Sequence, residues 1–346
     1  MKAKRIGAAL IAGITAVALS ACGGAAAQPG GSAPAQKTTT LRLAFNQTEQ
    51  HPQYKAAESL GKKLKDATAG RYTIEVYANE TLGTQSDVVN NVSDGSVDMM
   101  YIGGPVMESF NQDFIVFNLP YMFDSVEAQQ AVFSDEAVMG DLKKSIEGPK
   151  KITVLSALYS GVRNVYGTKA VRSPEDLAGM KIRVQQSDSQ VAMINDMGGV
   201  ASPMGQGEVY TALQSGVLDG AENNETVFNA LKHDEVAKFY SYTKHLMIPD
   251  YLLMSTQTLN AMPEADRKIL LDLIPETVKE ANEGFVKFVD ESKSRSEATG
   301  AEFVTDVDTA AFKARVQPLV QKSINNPVRQ ALFDAVQKAN AAYPAK

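Results

Sequence analysis

From Thr39 onward the chain switches again and again between two periods, and that switching limits it to one fold class. Leu41, Leu43 and Phe45 alternate as in a half-buried strand, and residues 54–68 then carry apolar side chains at helical spacing until Ala69-Gly70. Tyr72, Ile74 and Val76 share one face of a second strand. A helix expected over 84–92 runs into Asp94-Gly95-Ser96-Val97-Asp98, and an apolar strand over 99–102 stops at Gly103-Gly104-Pro105. Strand and helix in alternation predict an α/β class with a mainly parallel sheet.

A second block of the same build opens near Val171. Ser173-Pro174-Glu175-Asp176 supplies a capping serine, a proline at the first helical position and acids in the first turn. Lys181-Ile182-Arg183-Val184 is the next strand, and helices follow over 190–197 and 206–214. The last of these runs into Ser215-Gly216-Val217-Leu218-Asp219-Gly220, which echoes Asp94-Gly95-Ser96-Val97-Asp98 and suggests two related α/β units. Beyond Ala261, residues 265–298 read as one long helix, broken or kinked at Pro275, that would lie across both units. Two more helices are expected over 309–342, joined near Asn325-Asn326-Pro327.

The start of the chain has another character. Lys2, Lys4 and Arg5 precede an almost unbroken apolar run over 6–19, the layout of an export signal too short to span a membrane comfortably. The run ends in Leu19-Ser20-Ala21-Cys22, which resembles the bacterial lipobox, so Cys22 is the expected lipid attachment site. The Gly-, Ala-, Gln-, Pro- and Ser-rich residues that follow cannot build a core and read as a tether. The expected division is 1–21 signal peptide and 22–37 tether. A first lobe over 38–162 takes in part of 250–290, a second lobe covers 163–249, and the long helix with the C-terminal helices covers 263–346.

Composition excludes several functions. Lys and Arg number 34 against 40 Asp and Glu, a net charge of -6 that is the wrong sign for gripping nucleic acid. Cys22 is the single cysteine, so neither an intrachain disulfide nor a cysteine metal cluster can form. His51, His233 and His245 are scattered, and neither a His-Glu-x-x-His pair nor a Gly-x-Ser-x-Gly elbow is present. No cofactor and no metal are expected.

What remains points to binding. Arg163 and Arg183 each lie in a strand-like segment among apolar residues. Such an arginine can be a solvated strand-face residue, or its planar fork can hold both oxygens of a carboxylate. Asn223 and Asn224 can donate and accept toward carboxylates and hydroxyls, or cap the helix expected near Thr226. Asn46 and His51 follow the first strand at its carboxyl end, where open α/β sheets present ligand contacts, although a turn and a helix cap would also suit them.

Taken in order, these segments resemble the solute-binding proteins of tripartite ATP-independent periplasmic (TRAP) transporters, the dicarboxylate-binding-protein type. The resemblance rests on His51-Pro52, Gly70-Arg71, Leu82-Gly83, Asp94-Gly95-Ser96-Val97-Asp98, Leu119-Pro120-Tyr121-Met122-Phe123 and Gly161-Val162-Arg163. It continues through Asp176-Leu177-Ala178-Gly179-Met180-Lys181-Ile182-Arg183-Val184, Pro203-Met204, Glu208-Val209-Tyr210-Thr211-Ala212-Leu213-Gln214 and Asp219-Gly220-Ala221-Glu222-Asn223. It implies a two-lobed periplasmic-binding-protein fold, type II-like, with a hinge and a long helix spanning both lobes. By position it gives Arg183 the main salt bridge to a ligand carboxylate, with Arg163 and Asn223 assisting. Asn46, His51, Asn224, Gly104 and Glu208 complete the ligand-binding set it implies. The implied function is extracytoplasmic capture of a small organic acid for a membrane permease, without catalysis, by a protein held to the membrane through lipid at Cys22. A sugar acid, uronate or aldonate, is the leading ligand class. A C4-dicarboxylate or keto acid, and a cell-surface lipoprotein enzyme acting on sugars, are the alternatives.

Overall fold

The computed structural model describes residues 38–345. The expected export signal, the expected lipid site Cys22 and the expected tether lie outside these residues. Within them the alternating segments form eleven strands: β1 (Thr39–Ala44), β2 (Tyr72–Tyr77), β3 (Met99–Gly103), β4 (Ile152–Tyr159), β5 (Arg163–Gly167), β6 (Lys181–Val184), β7 (Val200–Pro203), β8 (Gly220–Asn223), β9 (Phe239–Leu246), β10 (Pro249–Ser255) and β11 (Glu302–Val304). They divide into two sheets, one in the order β2-β1-β3-β10-β4 and one in the order β11-β9-β5-β8-β6-β7. Each sheet is the centre of a lobe, and the fold is a two-lobed α/β architecture.

Both sheets are mixed, which corrects the expectation of a mainly parallel sheet. β1 pairs in parallel with β2 and β3, but β10 runs antiparallel to β3 and β4. In the second sheet β5 runs antiparallel to β8 and β9. The reversed pairs have one cause. The chain leaves the first sheet at Tyr159, enters the second at Arg163, and returns between Leu246 and Pro249, so the crossing strands meet their neighbours head to tail.

Each sheet is covered on both faces, which is why in the first sheet the central strand β3 is an apolar run with every residue buried. One face of the first sheet packs through Leu41, Leu43 and Met99 on Ala57, Leu60 and Leu64 of the helix Pro52–Ala67 and on Leu270 and Ala281 of the helix Glu264–Ala298. The other face packs Met100 and Ile102 against Val88 and Val92 of the helix Gln85–Asp94 and Leu332 and Val336 of the helix Pro327–Ala342. In the second lobe Ile182 and Val184 meet Met193 and Ile194 of the helix Asp188–Met197 and Phe312 and Val316 of the helix Thr309–Ser323. Its opposite face holds Tyr166, Phe228 and Tyr240. The echoed strings have a shared geometry: Gly95 (φ +82°) and Gly216 (φ +72°) turn the chain out of a helix in the left-handed conformation that favours glycine.

The long helix Glu264–Ala298 is continuous through Pro275, so the expected break there is not found. Its packing along the helix Pro52–Ala67, β4 and, in the other lobe, the helix Glu225–Ala230 holds the backbone helical across a residue that local propensity disfavours. It is fixed at both ends. Arg71 Nε and Nη2 donate to the Asp266 carboxylate at 2.9 and 2.6 Å in the first lobe, and Ser296 Oγ donates to Asp234 Oδ2 at 2.7 Å in the second. The C-terminal region adds the strand β11 where only helices were expected. Phe303 makes ring contacts with Phe228, Tyr240 and Tyr242, and this aromatic cluster draws the short segment onto β9.

Candidate functional site: a closed interlobe cleft

The carboxyl ends of β1, β3 and β6 converge where the lobes meet. Asn46, just past β1, shares a cavity with Arg183 of β6, with Gln185 and Gln206 beside it, and with Glu80 and Gln85 from the first lobe. The cavity measures about 20 Å³, room for a water molecule, so the lobes are closed on one another. Polar contacts span the closure. Gly207 N donates to Glu80 Oε2 at 2.8 Å, and Ser86 Oγ to Gln186 Oε1 at 3.1 Å. Ser187 Oγ and Ser189 Oγ donate to Glu108 at 3.1 and 2.7 Å, while Asn118 of the same lobe as Glu108 donates to it at 2.9 Å. Ser187 stands at the N-cap of the helix Asp188–Met197 without capping it, and Glu108 of the other lobe lies there instead. An anion at a helix start is favourably placed.

The two arginines, alike in sequence, occupy different electrostatic positions. Arg163 is buried with its fork fully engaged: Nε and Nη2 donate to Oε2 and Oε1 of Glu222 at 2.6 Å each, Nη2 also to the Glu222 carbonyl, and Nη1 to Asn223 Oδ1 at 2.9 Å. Burial alone would raise the Glu222 carboxyl, but the Arg163 charge and the nearby His245 outweigh it and hold the group well below the usual carboxylate range. His245 Nε2 lies 3.5 Å from the same carboxylate, and burial keeps this imidazole below its ordinary pKa. Arg183 has no such partner. Its Nε and Nη2 donate to the Met204 carbonyl at 3.1 and 2.8 Å and its Nη1 to Gln206 Oε1 at 3.4 Å, and among the described residues no carboxylate stands within ion-pair distance. Burial, aided by the positive charge of Arg163, lowers its pKa. A buried guanidinium held only by neutral oxygens is an electrostatic deficit that an incoming carboxylate would relieve.

The other sequence-predicted residues fall into two groups. Asn46 lines the cavity with Arg183, whereas Asn223 and Arg163 are not among its lining residues and are bonded to each other, Arg163 Nη1 donating to Asn223 Oδ1. Asn224 spends its side chain on structure, accepting from Val227 N at 3.0 Å as the N-cap of the helix Glu225–Ala230 and donating to the Ser160 carbonyl at 2.6 Å. His51 caps the helix Pro52–Ala67 through Nδ1, accepting from Gln53 N at 3.2 Å, and its ring packs among Phe45, Phe285 and Phe288. Burial pushes its pKa down to about 3. Gly104 is buried where a Cβ would collide with Asn118 Oδ1 and press on Pro249, so it permits close backbone packing. Glu208 is exposed, outside the cavity.

Sequence reasoning missed Glu80, Gln85, Gln185, Gln206 and Glu108. Glu80 carries one signal visible only in the backbone: it and Asn79 hold φ values of +54° and +58°, a left-handed pair of non-glycine residues at the cleft edge. Strain of this kind is kept where the surroundings over-determine it, often at ligand contacts. Burial raises the Glu80 carboxyl above its ordinary pKa.

Two lobes on separate sheets, joined by crossing strands and closed over a buried unpaired arginine, define a solute-binding protein of the periplasmic type. The particular family follows from comparison with known proteins: residues 43–326 match the family described as bacterial extracellular solute-binding protein, family 7 (DctP), and the chain belongs to it. Its relatives are named as solute-binding proteins of TRAP transporters, which work with membrane permeases outside the cytoplasm. A TRAP solute-binding protein from Anaerococcus prevotii, solved with D-glucuronate, is 37% identical, with a TM-score of 0.86 over 89% of this chain and 100% of that one. Another from Xanthobacter autotrophicus, solved with β-D-galacturonate, is 31% identical, with a TM-score of 0.82 over 87% of this chain and 99% of that one. The 2,3-diketo-L-gulonate-binding periplasmic protein of Escherichia coli is 28% identical over 79% of this chain and 83% of its own length.

Proposed function

We propose that this chain captures a sugar acid, a hexuronate first among them, and delivers it to a TRAP-type permease without chemical turnover. The observation that carries the reading is Arg183. It is buried, its own partners are neutral oxygens, and Asn46, Gln85, Gln185, Gln186 and Gln206 line its cavity with amides suited to hydroxyl groups. The similar proteins solved with glucuronate and galacturonate support the same class. A C4-dicarboxylate would call for a second free cation, and among the described residues Arg183 is the one cation lining the cavity. A glycosidase would call for paired carboxylates, and among the described residues Glu80 is the one carboxylate lining it.

The geometry supports the following mechanism. With the lobes apart, the ligand carboxylate takes both oxygens to the Arg183 fork in place of water, with Asn223 and Arg163 shaping the wall behind it. Closure brings Glu80 onto Gly207 and Glu108 onto Ser187 and Ser189, excludes water and strengthens each charged contact. Reopening at the permease releases the ligand. Anchoring through lipid at Cys22 would hold the carrier beside that permease, and palmitate labelling lost in Cys22→Ser tests it.

Titration calorimetry on the purified protein tests the ligand reading with D-glucuronate, D-galacturonate, C4-dicarboxylates, keto acids and neutral sugars. A uronate is expected to bind, and Arg183→Ala to weaken it at least a hundredfold, about 2.7 kcal/mol. Binding confined to neutral sugars, or binding indifferent to Arg183→Ala, would overturn the proposal.

A further inference from the structure

Two buried amide atoms beside Arg183 have no hydrogen-bond partner among the described residues: Gln185 Oε1, an acceptor, and Gln206 Nε2, a donor. Both side chains line the cavity that holds the arginine, and both are more than nine-tenths buried. An amide atom left unpaired in such a place costs free energy unless something completes it. Tyr251 Oη, another buried atom without a partner, lies in the hydrophobic core of the first lobe and does not line the cavity. These two face the site.

Their chemistry specifies what completes them. One free acceptor needs a donor and one free donor needs an acceptor, and a hydroxyl group is both at once. Position narrows it further. Gln206 touches the guanidinium itself, Oε1 to Arg183 Nη1 at 3.4 Å, so the pair addresses ligand atoms close in covalent order to the carboxylate. In a hexopyranuronate the carboxyl carbon is attached to C5, which bears the ring oxygen, and C5 is attached to C4, which bears a hydroxyl. The ring oxygen can only accept. The C4 hydroxyl is the nearest group that can satisfy both amides.

We infer that Gln185 and Gln206 together read the C4 hydroxyl of a bound uronate and thereby choose between the C4 epimers, glucuronate and galacturonate. The inference deepens the proposed function and rests on it. Gln185 follows β6 directly, and its amide lies against Gly103, where a Cβ would stand 2.5 Å from Gln185 Nε2. Glycine at 103 thus lets an amide of the second lobe reach the backbone of the first, so the hydroxyl is read as the lobes meet. An axial and an equatorial hydroxyl point in different directions from C4, and a pair of fixed amides completes its bonds with one of them. The wrong epimer leaves buried polar atoms unpaired, the condition under which binding sites discriminate most strongly.

The test is calorimetry on the wild type, Gln185→Leu and Gln206→Leu with D-glucuronate, D-galacturonate and the 4-deoxy hexuronate, alongside melting curves of each unliganded protein. The wild type is expected to separate the epimers by tenfold or more and to bind the 4-deoxy compound at least tenfold more weakly than the preferred epimer. Each leucine variant is expected to bring the epimer ratio toward one. A 4-deoxy compound that binds the wild type as well as its parent overturns the inference, whether or not the variants fold. So does an epimer ratio unchanged in variants that retain uronate binding. Failure of the wild type to bind any uronate removes the proposed function itself, and this inference with it.

Discussion

Glu108 and Ser189 meet across the cleft, the seryl hydroxyl of the second lobe donating to the carboxylate of the first at 2.7 Å. Neither residue lines the cavity around Arg183, so this contact favours closure without touching the ligand. Glu108→Ala is expected to shift the lobes open and to speed ligand dissociation about tenfold, since a hydrogen bond to a charged group is worth about 1.5–3 kcal/mol. Association should change little. Stopped-flow kinetics with small-angle scattering measures both, and an unchanged dissociation rate would count against the latch.

The Arg163–Glu222 pair is expected to be sensitive to the loss of one member alone. Glu222→Gln leaves a buried guanidinium without its counter-charge, and breaking such a pair costs about 3–5 kcal/mol. The double replacement Arg163→Leu with Glu222→Leu should cost less than the two single replacements added together. Urea unfolding of the three proteins gives the comparison.

His51 and His233 are held near pKa 3 by burial, against an unfolded value of 6.5. Between these limits the unfolded chain binds more protons, so stability contributed by keeping these rings neutral is present above pH 6.5 and is lost as pH falls toward 3. Glu108, Asp250 and Glu225, all raised by burial, act with the opposite sign, losing stability as pH rises through their native values. NMR titration should find both imidazoles still neutral at pH 5. Replacing His51 by Gln should flatten the acid limb of the stability curve.

Gly161 sits in the short crossing between β4 and β5 at φ +81°, and a Cβ there would stand 3.0 Å from both Asn224 Cβ and the Phe285 ring. Gly161→Ala is expected to cost about 1–3 kcal/mol through backbone strain and crowding. Because Asn224 and Phe285 belong to the second lobe and the long helix, ligand affinity should fall as well, which calorimetry and thermal unfolding will separate.

The elements were legible because their periods are local. Leu41-Leu43-Phe45 announces a strand, and Ser173-Pro174 and Asn326-Pro327 announce helix starts, from residues a few positions apart. The site was legible only in part. Arg163 and Arg183 look the same in sequence, and what separates them is Glu222, some sixty residues beyond Arg163, whose carboxylate meets one fork and not the other. Glu80 with Gly207, and Glu108 with Ser189, join residues about a hundred apart that meet across the boundary between the lobes. No spacing rule carries that information. Pro275 misled for the converse reason: its local cost is real, but packing across two lobes overrides it.

The crossings between the lobes have a consequence for signalling. Residues 160–162 and 247–248 are the strand-to-strand links, and the long helix bridges the same two bodies with a fixed point in each. Few independent movements remain to such a frame. On the proposed function, any cargo able to draw the lobes together would bring the outer surface to much the same contour, and a permease would receive a binary message, loaded or empty. The identity of the cargo must be decided beforehand, inside the cleft.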